Sequence, residues 1–195
     1  MIYRAVRKPK TLQVAARKTM RPPGNVPYFV DNIWEWLRPK DMPTRRLAAF
    51  ASPSAALAAK AIGGSLDDVY HVELLDSQSA VQLVHSKNPR DAKYHADIKN
   101  LRNVILRESL GDEWAGQPLN LKGLAAALFT PCLSKSEVAE ILEHSEHLNP
   151  DTIRAASTFW HDVEWLHLGD TLPSQEGEIF FSGAYKLLKY QDQEN

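Results

Sequence analysis

Short runs of hydrophobic β-forming residues recur along the chain, and the first alternates with polar positions at a two-residue period. Met1-Ile-Tyr-Arg-Ala-Val6 is rich in β-formers and predicts a first strand. Val69-Tyr-His-Val-Glu-Leu-Leu75 predicts a second, and Val81–His85 a further short one. Near the C-terminus Ile179-Phe-Phe181, a turn at Ser182-Gly183 and Tyr185-Lys-Leu-Leu188 read as two more strands. Leu47-Ala-Ala-Phe-Ala51 is a short apolar run with the length of a buried strand.

Helical spacing occupies the intervals. Residues 9–20 after Pro9 predict a short helix with Leu12, Ala15 and Ala16 on one side, ended by Arg21-Pro-Pro-Gly24. Asp31 to Leu37 predicts a helix capped by Asp31. Ser54 caps a predicted alanine-rich helix, Ala55 to Ile62, which Gly63-Gly64 stops. Asp91 to Leu106 carries Tyr94, Ile98, Leu101 and Ile105 at helical intervals, and Leu121 to Phe129 reads as a buried helix. Ser134-Lys-Ser-Glu137 is a capping box opening a helix to His147, and Pro150 to Trp165 predicts helix and then strand into Leu168. Strands at both ends and in the middle, with helices between, predict an α+β fold. The length, 195 residues, fits one domain, 1–195, with a helical insertion at about 91–165.

Composition narrows the function. Hydrophobic residues make up 44%, enough for a core. Twenty-three basic residues balance 24 acidic ones, a net charge of −1, so no global field draws the chain to nucleic acid or an anionic membrane. No apolar run approaches the roughly 20 residues that span a bilayer. No apolar stretch follows the basic N-terminal residues, so no secretory signal is expected. Cys132 is the only cysteine, which rules out an intrachain disulfide and a thiolate cluster and suits the cytoplasm, reached directly or by delivery into a target cell. His144 and His147 stand three apart, and His161 and His167 flank acidic residues, but no third ligand sits at a recognisable spacing, so no metal is expected.

The segment Gln175-Glu-Gly-Glu178-Ile-Phe-Phe carries the clearest chemistry. Alternate residues of an extended chain share a face, so Glu176 and Glu178 can look into one site at the mouth of a strand. One carboxylate can stabilise a sugar cation forming at an anomeric carbon while its neighbour orients or deprotonates the nucleophile. The competing reading is a surface pair.

Glu176-Gly-Glu178-Ile-Phe-Phe-x-x-Gly183-x-x-Lys-x-Leu188 resembles the C-terminal signature of the ADP-ribosyltransferase superfamily, a Glu-x-Glu turn leading into a strand. The arginine–serine–glutamate branch adds an arginine on the first strand, here Arg4, and a serine ending a central strand, here Ser52 with Ser54 as the alternative. The likeness runs in order through nearly the whole chain. The Ser52 region is also similar to the RES-type toxins. The resemblance implies a split antiparallel sheet core around a NAD cleft, with NAD as substrate. It implies transfer of ADP-ribose to a macromolecular acceptor, protein ahead of nucleic acid, by a toxin, effector or phage protein. It implies that Arg4 holds the NAD pyrophosphate, that Ser52 bonds Glu178 or a ribose hydroxyl, that Glu178 favours the oxocarbenium ion, and that Glu176 handles the acceptor. Tyr28, with Phe29, Trp34 and Trp36, can stack on nicotinamide or adenine or form a lid on the core. Arg38, Arg45 and Arg46 can add phosphate contacts or form a solvated basic face. Two other readings stay open: NAD breakdown without an acceptor, and a non-enzymatic module interacting through residues 25–38 and the helices at 91–150.

Overall fold

A computed structural model describes residues 1–22, 24–75, 80–84, 91–167 and 171–191. Among them the strands are β1 (Tyr3–Ala5), β2 (Gln13–Val14), β3 (Ala49–Ala51), β4 (Val69–Leu74), β5 (Ala80–Leu83), β6 (Val163–Trp165), β7 (Ile179–Phe181) and β8 (Tyr185–Lys189). The α-helices are α1 (Tyr28–Leu37), α2 (Ala55–Ala61), α3 (Asp97–Arg102), α4 (Lys135–His144) and α5 (Pro150–Ala155). All ladders are antiparallel and form two four-stranded sheets, ordered β1-β4-β8-β2 and β3-β7-β5-β6. The fold is α+β, as the alternation of periods predicts. No helix among the described residues is long and apolar enough to cross a membrane.

The chain divides into two compact units. The first comprises Met1–Thr19, Met42–Asp91 and Val163–Asn195 and holds both sheets. Their shared core contains Val72, Ile179, Phe181, Tyr185 and Leu187, and Ile179 and Phe181 are fully buried. Burying one such side chain stabilises the fold by about 1.5–3 kcal/mol. Helix α2 lays Ala55, Ala58 and Ala59 against Val69, small residues that let helix and sheet approach closely. Ser54 caps this helix as expected, its hydroxyl accepting the Leu57 N–H at 3.3 Å. The two sheets join at one bridge: Tyr3 N–H donates to the Ser52 carbonyl at 2.9 Å and Ser52 N–H to the Tyr3 carbonyl at 2.7 Å.

The predicted helix at 9–20 is not formed. Gln13 and Val14 instead pair with Lys186 and Tyr185 as β2. Leu12 is 56% exposed, so a helix here would have had no apolar partner, and short helices are marginal without one. As a strand the segment covers the open edge of β8.

The second unit comprises Met20–Asp41 and Ala92–Asp162. Helix α1 begins three residues before the predicted start, behind Pro27, whose φ of −57° already suits helix entry. Asp31 does not cap it but lies buried in its first turn, where Phe29, Val30, Ile33 and Trp34 are also buried. Asn32 ties down the chain after residue 127, donating to the Leu128 and Thr130 carbonyls at 2.8 and 2.7 Å and accepting the Leu133 N–H at 3.1 Å. The predicted helix Asp91–Leu106 is broken into a 3-10 turn (Ala92–Tyr94), α3 and a π-helical stretch (Asn103–Ser109). The expected buried helix at 121–129 is a 3-10 segment, Leu124–Phe129, entered from Gly123 at φ 62°, and Leu124 is exposed. Helix α4 carries the complete capping box of Ser134 and Glu137. The last predicted helix is confined to α5, which Asn149 caps and Pro150 opens, and β6 follows it. His85 and Leu168, the expected ends of two strands, lie outside the described residues.

Candidate functional site

The register of the first unit lines up three expected site residues. Ala49, Phe50 and Ala51 of β3 face Phe181, Phe180 and Ile179 of β7. One residue beyond the last pair, Ala51–Ile179, the two chains carry Ser52 and Glu178. On its other side Ser52 bridges Tyr3, the neighbour of Arg4. The backbone therefore runs Arg4–Tyr3, Ser52, Glu178 across adjacent segments. Leu83 N–H donates to the Glu178 carbonyl at 2.9 Å and fixes it from β5. Alternation puts Phe50, Ser52, Phe180 and Glu178 on the face opposite Ile179 and Phe181.

The side chains are held separately. Arg4 Nη1 donates to the Phe50 carbonyl at 2.5 Å, and its guanidinium carbon lies 6.0 Å from the Tyr185 ring. Its Nε is buried and has no hydrogen-bond partner among the described residues. Leaving such a donor unmet costs roughly 1–3 kcal/mol. Glu178 Oε1 accepts from Arg45 Nη1 at 2.6 Å, and both side chains are at most 10% exposed. The Arg45 guanidinium carbon is 5.0 Å from the Phe50 ring and 5.2 Å from the Phe180 ring. Among the described residues no hydrogen bond or ion pair joins the side chains of Arg4, Ser52 and Glu178 directly.

The turn before Glu178 is built from the inside. Gln82 of β5 is fully buried and grips it three times: Nε2 donates to the Ser174 and Gly177 carbonyls at 2.8 and 3.1 Å, and Oε1 accepts the Ser174 N–H at 3.0 Å. Ser174 Oγ accepts the Glu176 and Gly177 N–H groups at 3.1 and 3.2 Å. A Cβ at Gly177 would lie 1.7 Å from the Leu83 carbonyl oxygen, so only glycine fits. Glu176 is exposed in this bend, ahead of β7, so strand alternation does not extend back to it.

Arg46 is 3% and Arg45 6% exposed, so neither belongs to a solvated basic face. Arg38 and Tyr28 belong to the second unit. Arg38 caps α1 and pairs through Nε with Glu35 at 2.9 Å, and Tyr28, 41% exposed, is the first residue of that helix. Trp34 is buried, stacked on Phe159 with ring centroids 4.0 Å apart. The Arg154 guanidinium covers Trp36 at 4.5 Å. Sequence reasoning missed Gln82 and Gly177, and the pairing of Arg45 with Glu178. The signal in reach was a glutamine inside an otherwise apolar strand, Ala80-Val-Gln-Leu83.

The second unit has a polar cluster of its own. Asp97 is fully buried, and its Oδ2 accepts from Trp34 Nε1 at 2.8 Å, Ser157 Oγ at 2.6 Å and Phe159 N–H at 3.1 Å. Oδ1 accepts the Thr158 N–H at 2.9 Å. Burial alone would raise the Asp97 pKa, but the His95 ring and these donors outweigh it and hold it at about 2. His95 Nε2 lies 2.9 Å from Asp162 Oδ2. Burial pushes the His95 pKa down, and bonds and charge from Asp97 and Asp162 overcome that and raise it. Such complete satisfaction is structural: the cluster ties α1, α3 and the chain at 157–162 together. No group of three metal-ligating side chains occurs among the described residues.

No family model matches the chain, and no curated protein or solved structure matches it.

Proposed function

We propose that the first unit is a NAD-dependent mono-ADP-ribosyltransferase acting on a macromolecular acceptor. The observation that carries this reading is that Ser52 bridges Tyr3, the neighbour of Arg4, and directly follows the Ala51–Ile179 pair, whose other member directly follows Glu178; the resemblance to the arginine–serine–glutamate branch needs these three segments side by side. Arg4 supports it, because its guanidinium keeps hydrogen-bonding capacity that no acceptor among the described residues uses, and a guanidinium suits a pyrophosphate. Among the described residues nothing hydrogen-bonds Glu178 Oε2, which leaves that oxygen for a ribose hydroxyl. As the bond from nicotinamide to ribose breaks, positive charge grows on the sugar, and a fixed carboxylate lowers that barrier. Glu176, exposed on the bend, is suited to meet the acceptor. The acceptor is taken to be protein rather than nucleic acid, given the balanced charge, and the compartment is taken to be the cytoplasm.

The test mixes NAD labelled in its adenylate with the protein and a cell lysate. The wild type should label a macromolecule, and Glu178→Gln should label it about 100- to 1,000-fold more slowly, the loss typical of removing one preorganised electrostatic group. Equal labelling by both forms would remove Glu178 from the chemistry. Free ADP-ribose as the sole product would turn the reading toward NAD breakdown.

A further inference from the structure

We infer that Arg45 is a positioning residue for Glu178: resting over the rings of both Phe50 and Phe180, it grips Oε1 and thereby leaves Oε2 as the oxygen offered to substrate. The inference rests on the role proposed above for Glu178.

The argument starts from the local chain. Thr44 to Ala48 forms a turn just before β3, with Leu47 N–H donating to the Thr44 carbonyl and Ala48 N–H to the Arg45 carbonyl, each at 3.3 Å. The turn leads Arg45 into the start of β3, and Glu178 directly precedes β7, the strand that β3 pairs with. Phe50 and Phe180 are opposite one another in that ladder, their ring centroids 6.3 Å apart. A guanidinium is planar and weakly hydrated, so it lies against both rings, whereas a compact ammonium would not. Its Nη1 meets Oε1 at 2.6 Å, a short charge-assisted bond. Both partners are nearly out of water, so the bond resists thermal rotation of the carboxylate far better than a surface pair would. A carboxylate with one oxygen held keeps a single orientation for the other. Sequence alone left Arg45 as a phosphate contact or a solvated charge, and the Nη1–Oε1 bond gives it a different task.

A phosphate ligand and a positioning residue differ in what their loss does. Loss of a phosphate ligand weakens NAD binding and raises KM. Loss of a positioning residue lowers kcat, and only while Glu178 is present. The test is a kinetic cycle on the full chain with wild type, Arg45→Ala, Glu178→Gln and the double variant, following nicotinamide release from NAD. Arg45→Ala should lower kcat about 100-fold, the loss expected when a reacting group is misplaced by an ångström, with KM changed less than about threefold. The double variant should be no slower than Glu178→Gln within about threefold, because the two residues act as one unit. Guanidinium ion added to Arg45→Ala should restore at least about tenfold of the loss, since it can reoccupy the place over the two rings. Should Arg45→Ala fail to fold, Arg45→Lys replaces it, and the same dependence on Glu178 is expected with a loss of about tenfold.

Multiplying losses in the double variant, or a rise in KM with kcat kept, would overturn the inference while leaving Glu178 in place. Wild-type protein that releases no nicotinamide would overturn the transferase reading itself, and the role of Arg45 with it.

Discussion

Asp97 and Glu178 are both carboxylates withdrawn from bulk water, and their surroundings give them opposite tasks. Asp97 has donors on both oxygens from backbone, hydroxyls and an indole, so nothing further can approach it. Glu178 has one oxygen held and one with no hydrogen bond among the described residues. A carboxylate satisfied on every side stabilises a fold, and one held at a single oxygen can act on a ligand. The Asp97 pKa of about 2 lies below its ordinary 3.8. Its stabilisation is therefore present above the ordinary value and is lost as pH falls through about 2, with a size on the order of 2 kcal/mol. The His95 pKa is raised, so its contribution is present below the ordinary 6.5 and is lost as pH rises through the folded value. Asp97→Asn should cost about 3 kcal/mol near pH 6, because the buried imidazole and hydroxyls lose their acceptor. Urea unfolding of both proteins from pH 2 to pH 9 checks this. The gap between them should be widest between the two ordinary values and should close toward pH 2; a gap independent of pH would show that the charge of Asp97 is not what stabilises.

Among the elements, the turn from Ser174 to Gly177 decides most about the site. Gln82 fixes its carbonyls, Ser174 fixes its N–H groups, and Gly177 lets it pass over Leu83. Gly177→Ala forces a methyl into a backbone carbonyl, so β5 and the turn must separate. The expected loss is about 3 kcal/mol, the upper end for overpacking, read as a lower urea midpoint. A variant as stable as the wild type would mean the turn has another seat. This scale also separates what the sequence made legible from what it hid. Strands β4, β7 and β8 were legible because their side chains alternate or are wholly apolar, and α2 and α4 because Ser54 and Ser134 mark their starts. The segment at 9–20 misled because its helical spacing has nothing to pack on, and pairing with β8 overrode it. The run at 91–106 misled because His95 and Asp97 are drawn into a polar cluster that breaks the helix. Arg4, Ser52 and Glu178 were legible as residue types in order, but the partner of Glu178 was not. Arg45 and Glu178 are 133 positions apart, and no local pattern links them.

At the scale of the whole molecule, two antiparallel sheets meet at the Tyr3–Ser52 bridge, which holds Ser52 and the neighbour of Arg4 but not Tyr28 or Arg38. A ladder aligns residues distant in sequence without any contact between their side chains, and the first unit uses it to bring together positions from the start, the middle and the end of the chain. The second unit has its own core around α1 and the Asp97 cluster. The most direct test is a crystal structure of the Glu178→Gln protein grown with NAD. The account predicts the dinucleotide bound with its pyrophosphate at the Arg4 guanidinium and the nicotinamide ribose against Ser52 and residue 178. A dinucleotide bound elsewhere, or none at saturating NAD with the protein folded, would contradict it.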